Sequence, residues 1–138
     1  MMAEATIKKT ILVAEDDEDD QAFFTDFLKH RNDVSLLPIA ENGEALIRQL
    51  EHLYTTQDFL PDFIILDQNM PKRSGLQTLE YLKNHPHYTQ IPVMLYSTYT
   101  DIELIQKGTS LGACKVVPKP VSTEGYHQMI ESLFAECL

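Results

Sequence analysis

The sequence predicts a three-layer α/β/α domain on a five-stranded parallel sheet. Five short apolar runs alternate strictly with segments of helical spacing, and no run alternates cleanly between apolar and polar residues. Strands of that texture are covered on both faces, and the alternation implies right-handed crossovers. With 138 residues, 43% of them hydrophobic, the chain can bury one core and has no room for a second domain.

Residues 1–9 read as a flexible N-terminal segment and residues 10–138 as the domain. The first strand is expected over Thr10 to Ala14, and Phe23, Phe24, Phe27 and Leu28 then mark a helix face. The second run, Val34 to Ala40, leads to Asn42-Gly43, a helix opening for the face of Ala45, Leu46, Leu50 and Leu53. Thr55 to Pro61 reads as a loop ahead of the third run, Phe63 to Leu66. Leu76, Leu79 and Leu82 carry the third helix, which Pro86 closes. Val93 to Tyr96 is the fourth run, and Ile102, Ile105 and Leu111 come next with helical spacing. Lys115 to Val117 is the fifth, and Tyr126, Met129, Ile130 and Leu133 form the last helix.

Eleven Lys and Arg against twenty-one Asp and Glu give a formal charge of -10, with no basic cluster, which argues against nucleic-acid and anionic-membrane partners. The apolar runs are too short to cross a bilayer and the first ten residues lack a secretory core, so the expected location is the cytoplasm. Cys114 and Cys137 show no CxxC spacing and are expected to be ordinary small core residues, with neither zinc nor a disulfide.

In an open parallel sheet, ligands bind at the carboxyl ends of the strands. Glu15, Asp16 and Asp17 come directly after the first run, Asp67 after the third, Ser97 and Thr98 after the fourth, and Lys119 after the fifth. Asp17 to Asp20 read as a solvated helix start that complements the macrodipole. Glu15, Asp16 and Asp67 would instead concentrate negative charge in one pocket, which a hard divalent cation resolves; few carboxylates and a carbonyl favour Mg2+. Asp67 is the candidate nucleophile toward phosphorus, with Lys119 to neutralise charge and Ser97 to donate a hydrogen bond to a phosphoryl oxygen.

These residues resemble the receiver domains of bacterial two-component response regulators. The resemblance rests on Ile11-Leu12-Val13-Ala14-Glu15-Asp16-Asp17, on Ile64-Ile65-Leu66-Asp67-Gln68-Asn69-Met70-Pro71 with Gly75, on Pro92-Val93-Met94-Leu95-Tyr96-Ser97, and on Lys119-Pro120. It implies a flavodoxin-like (βα)5 fold of strand order 2-1-3-4-5, with Asp67 phosphorylated by a histidine kinase or a histidine phosphotransfer protein. It further implies Asp16 and Asp67 as direct metal ligands, the Asn69 carbonyl as a third and Glu15 as a partner through water. By the same resemblance, Thr98 follows the switch hydroxyl of Ser97 and Lys119 is the phosphate-pairing lysine, its bond to Pro120 expected to be cis so as to fix its approach.

The sequence departs from that family at Val116, where an aromatic ring usually reports the switch; Tyr96 and Tyr99 flank the switch region and read first as ordinary packing residues, with substitution for that ring as the alternative. Pro118 lacks a ladder donor and suits an edge strand, which that order makes the fifth. A phosphohydrolase of the haloacid dehalogenase type would also use an aspartate and Mg2+, but would want a second aspartate where Asn69 stands; a phosphate-independent module is the third reading. His85-Pro86-His87 reads as a solvated loop. With no output segment expected after the last helix, the expected output is contact with a downstream protein; the resemblance implies that it runs through the fourth helix, fifth strand and fifth helix, with the kinase docking near the first helix. A homodimer stays open.

Overall fold

A computed structural model describes residues 8–137. The chain runs β1 (Lys9–Ala14), α1 (Glu18–Leu28), β2 (Val34–Leu36), α2 (Gly43–Gln57), β3 (Phe63–Asp67), α3 (Gly75–Lys83), β4 (Val93–Ser97), α4 (Ile102–Ser110), β5 (Lys115–Pro118) and α5 (Thr123–Glu136). All strand pairs are parallel and the order is β2-β1-β3-β4-β5, the flavodoxin-like arrangement expected. The expected flexible N-terminal segment falls outside the described residues over positions 1–7, and Lys9 already belongs to β1.

Strand parity divides the core. Ile11, Val13, Phe63, Ile65, Met94 and Tyr96 face α1 and α5. Leu12, Ala14, Ile64, Leu66, Val93 and Leu95 face α2, α3 and the inner side of α4, and Val116 packs with them. The period of two sends neighbours to opposite faces, so both faces bury apolar residues and the runs look continuous.

Two boundaries differ from expectation. β2 stops at Leu36 because Pro38 offers no ladder N–H, and Ala40 rejoins the sheet through a single bridge to Ala14. α2 continues through Thr55 to Gln57 and ends where Asp58 turns left-handed at φ 48°. Side-chain caps at Asp17, Asn42, Ser74, Asp101 and Ser122 open the five helices.

Two glycines permit close approaches. A Cβ on Gly75 would stand 2.6 Å from the Asp67 carbonyl oxygen, so this glycine lets α3 start against the end of β3. A Cβ on Gly108 would stand 2.7 Å from Val116 Cγ2, which is how α4 sits close over β5.

Two expectations are corrected. Cys114 and Cys137 form a disulfide with a Cα–Cα distance of 5.5 Å. Sequence spacing gives no sign of it, because α5 returns alongside the sheet and brings the residue just past its end to the entry of β5. No cis peptide occurs among the described residues, so Lys119-Pro120 is trans. From that linkage the Lys119 N–H donates to the Ser97 carbonyl at 2.9 Å and its ammonium still reaches the site. Pro118 lies on the edge strand, opposite Ser97, as its missing donor requires.

Candidate functional site

The strand ends place Glu15, Asp67, Ser97 and Lys119 at one rim. Glu15 and Asp67 are buried at 0% and 1% exposure, whereas Asp16 is exposed. One carboxylate oxygen from each of Glu15, Asp16 and Asp67 lies within 4.8 Å of the others. Such a set of hard oxygen donors fits a divalent cation, and the buried Asp67 Oδ2, which has no hydrogen-bond partner among the described residues, is the atom most in need of one.

Lys119 sits among three carboxylates, with Nζ 3.0 Å from Glu15 Oε1, 3.0 Å from Asp20 Oδ2 and 3.2 Å from Asp67 Oδ2. The last contact is a close ion pair without hydrogen-bond alignment, which is why Oδ2 is electrostatically compensated and still unbonded. Burial lowers the Lys119 pKa, but the bonds to Asp20 and Glu15 and the charge of Asp67 outweigh it and hold the ammonium above its ordinary range. Burial first, then the closeness of the Glu15 carboxylate, push the Asp67 carboxyl up to about 8; Lys119 and the Asn69 N–H oppose the rise.

Glu15 is held on both oxygens. Oε1 accepts from the Tyr96 hydroxyl, and Oε2 accepts from the Asp17 N–H at 3.2 Å. Burial and the Glu15 charge raise the Tyr96 pKa, so the phenol stays a donor. Asn69 donates its N–H to Asp67 Oδ1 at 3.2 Å, and its amide nitrogen lies 3.5 Å from Ser97 Oγ. Ser97 is buried and its Oγ also accepts from the Tyr99 N–H at 3.4 Å, which leaves its own hydrogen free for an incoming acceptor. Thr98 is exposed, Tyr99 is 74% exposed, and Pro120 lines a groove beside the site.

Sequence reasoning misses Asp20 and the role of Tyr96. Asp20 reads as part of the solvated helix start, yet it bonds Lys119 at 3.0 Å. Its place in the first turn of α1, directly after the strand-end acids, is the signal that could have found it. Tyr96 is the register partner of Asp67, which puts both on the same face of the sheet.

The family model for the response regulator receiver domain matches residues 11–131. The chain belongs to the response regulator receiver family. Receivers are the domains of two-component signalling that are phosphorylated on aspartate, and they act as switches. The polar-differentiation response regulator DivK of Brucella anthropi is 26% identical over 131 residues, which cover 93% of this chain and 98% of that protein. A Priestia megaterium protein described as "Probable C4-dicarboxylate response regulator DctR" is 29% identical over 88% of this chain, but the chain spans only 50% of its length. The Mn2+-bound form of response regulator Rcp1 superposes with a TM-score of 0.77 at 27% identity, covering 94% of this chain and 96% of that one. The phosphorylated cyanobacterial phytochrome response regulator RcpA, at 23% identity and a TM-score of 0.80 over 95% of this chain and 96% of its own, shares the fold. No helix among the described residues is long and apolar enough to cross a membrane.

Proposed function

We propose that this receiver accepts a phosphoryl group on Asp67 in a Mg2+-dependent reaction and signals through protein contacts. The observation that carries the reading is the buried Asp67 carboxylate at the end of a central strand, its Oδ2 unbonded and 3.2 Å from the Lys119 ammonium. An oxygen of Asp67 attacks the phosphorus of a phosphohistidine; the O–P bond forms, the P–N bond breaks, and the departing imidazole takes up a proton. Lys119 neutralises the charge spread over the transferred oxygens, and Ser97 donates its hydroxyl hydrogen to one of them. Glu15, Asp16, Asp67 and the Asn69 carbonyl are the residues that would hold the cation, which supplies charge neutralisation and orientation of the phosphoryl group when bound.

The donor is a histidine kinase or a histidine phosphotransfer protein. The surface that fits it is the groove of about 800 Å³ between α1 and α5, where Phe23, 58% exposed, and Val121, 99% exposed, stand beside Pro120 and Asp20 at the edge of the site. The output surface is the α4–β5–α5 side, where Tyr99, Ile102 and Ile105 are exposed, and the target is another protein. A phosphohydrolase would need an acid where Asn69 stands; here that side chain is an amide that approaches Ser97. Incubation with Mg2+ and acetyl phosphate followed by intact-mass measurement tests the reading. One phosphoryl adduct per chain, absent from Asp67→Asn, supports it; no adduct, or multiple turnover of the donor, contradicts it.

A further inference from the structure

Tyr96 is fully buried on β4, and its ring packs edge-on against Phe24 with centroids 5.7 Å apart. A phenylalanine would fill that space without bringing a hydroxyl into the core, where an unpaired hydroxyl is costly. The hydroxyl donates to Glu15 Oε1, the oxygen that also faces Lys119. Lys119 is shared among Glu15, Asp20 and Asp67, so it is a poor fixed anchor for Glu15 whenever it turns toward a new anion at Asp67. The Tyr96 hydroxyl has no such competing acceptor among the described hydrogen bonds.

We infer that Tyr96 is a positioning residue for the acidic pocket: its hydroxyl fixes the buried Glu15 carboxylate for a divalent cation, independently of where Lys119 points. The inference deepens the reading that Glu15, Asp16 and Asp67 hold a cation and rests on it. Tyr96 lies on the sheet face opposite Val116, so it cannot reproduce a ring at that position; it acts on the pocket from the α1–α5 side. An outer partner of this kind typically tunes metal affinity by roughly 10- to 100-fold.

The test is Mn2+ binding to the whole chain without a phosphodonor, read from the electron paramagnetic resonance signal of free Mn2+. Tyr96→Phe keeps the ring and is expected to raise the dissociation constant about tenfold, with the circular dichroism spectrum unchanged. In a Glu15→Gln background the same substitution is expected to add little, because its effect passes through Glu15. Equal Mn2+ affinity in Tyr96→Phe and wild type overturns the inference, whether or not the melting temperature falls. So does a full tenfold effect that persists in the Glu15→Gln background. Since no phosphodonor is used, a chain that loses Mn2+ affinity in Tyr96→Phe yet takes no phosphoryl group would sink the acceptor reading and leave this one supported.

Discussion

Lys119 Nζ lies 3.2 Å from Asp67 Oδ2 and makes no hydrogen bond to it. The ammonium is instead bonded to Asp20 at 3.0 Å and paired with Glu15 at 3.0 Å, so Asp67 is compensated by charge and left with a free oxygen. A buried carboxylate in that condition is both reactive and costly to the fold.

The cost has a definite pH dependence. The Asp67 pKa is about 8 in the folded chain against an ordinary 3.8, so between those values the folded state holds a proton that the unfolded chain has released. This contribution to stability is fully present below 3.8 and is lost as the pH rises to about 8. Urea melts of the metal-free protein at pH 5 and pH 8 should show it less stable at pH 8. Asp67→Asn should flatten that difference and stabilise the chain at pH 8 by roughly 1–3 kcal/mol, the range for relieving an ill-satisfied buried group. An unchanged slope in Asp67→Asn would assign the pH dependence elsewhere.

Removing the counter-charge should act in the opposite direction. Lys119→Met keeps much of the stem but leaves buried Glu15 and Asp67 without their cation. A loss of roughly 3–5 kcal/mol is expected at pH 8, smaller at pH 5 and partly recovered with added Mg2+. Equal urea midpoints for variant and wild type at pH 8 would contradict this role for Lys119.

Much of this arrangement is legible in the sequence. Apolar runs mark five strands, and the polar residues just past their ends include Glu15, Asp67, Ser97 and Lys119, which the fold brings to one rim. The hidden part depends on side-chain reach or on return of the chain in space. Asp20 joins Lys119 from the first turn of α1, Tyr96 meets Glu15 across the sheet, and Cys137 comes back to Cys114 at the end of α5. The sequence overextends β2 because its apolar run continues past Pro38, where the ladder cannot.

The disulfide should be a staple remote from the site, since it joins the entry of β5 to the end of α5 while the acids lie at the opposite strand ends. Closing a loop with a sequence separation of 23 should contribute about 3 kcal/mol. Thermal melts with and without dithiothreitol, and of a Cys114→Ser, Cys137→Ser double variant, should show that loss with Mn2+ affinity preserved. Identical melts would mean the bond adds nothing to the fold.

At half-buried Val116 the aromatic ring that the family usually carries would crowd Gly108 of α4, where an added Cβ would stand 2.7 Å from Val116 Cγ2. Val116→Tyr should therefore displace α4 and destabilise the chain by about 1–3 kcal/mol, as overpacking does. A variant as stable as wild type, with unchanged hydrogen exchange across α4, would show that the helix already has a second seat.

The central claim is that Asp67 is the phosphoryl acceptor, and mass analysis of the intact chain after incubation with acetyl phosphate and Mg2+ tests it most directly. A single phosphoryl adduct is predicted, released by hydroxylamine as an acyl phosphate should be, reduced when Mg2+ is chelated and absent from Asp67→Asn. An adduct that persists in Asp67→Asn, or none in the wild-type chain, would contradict it.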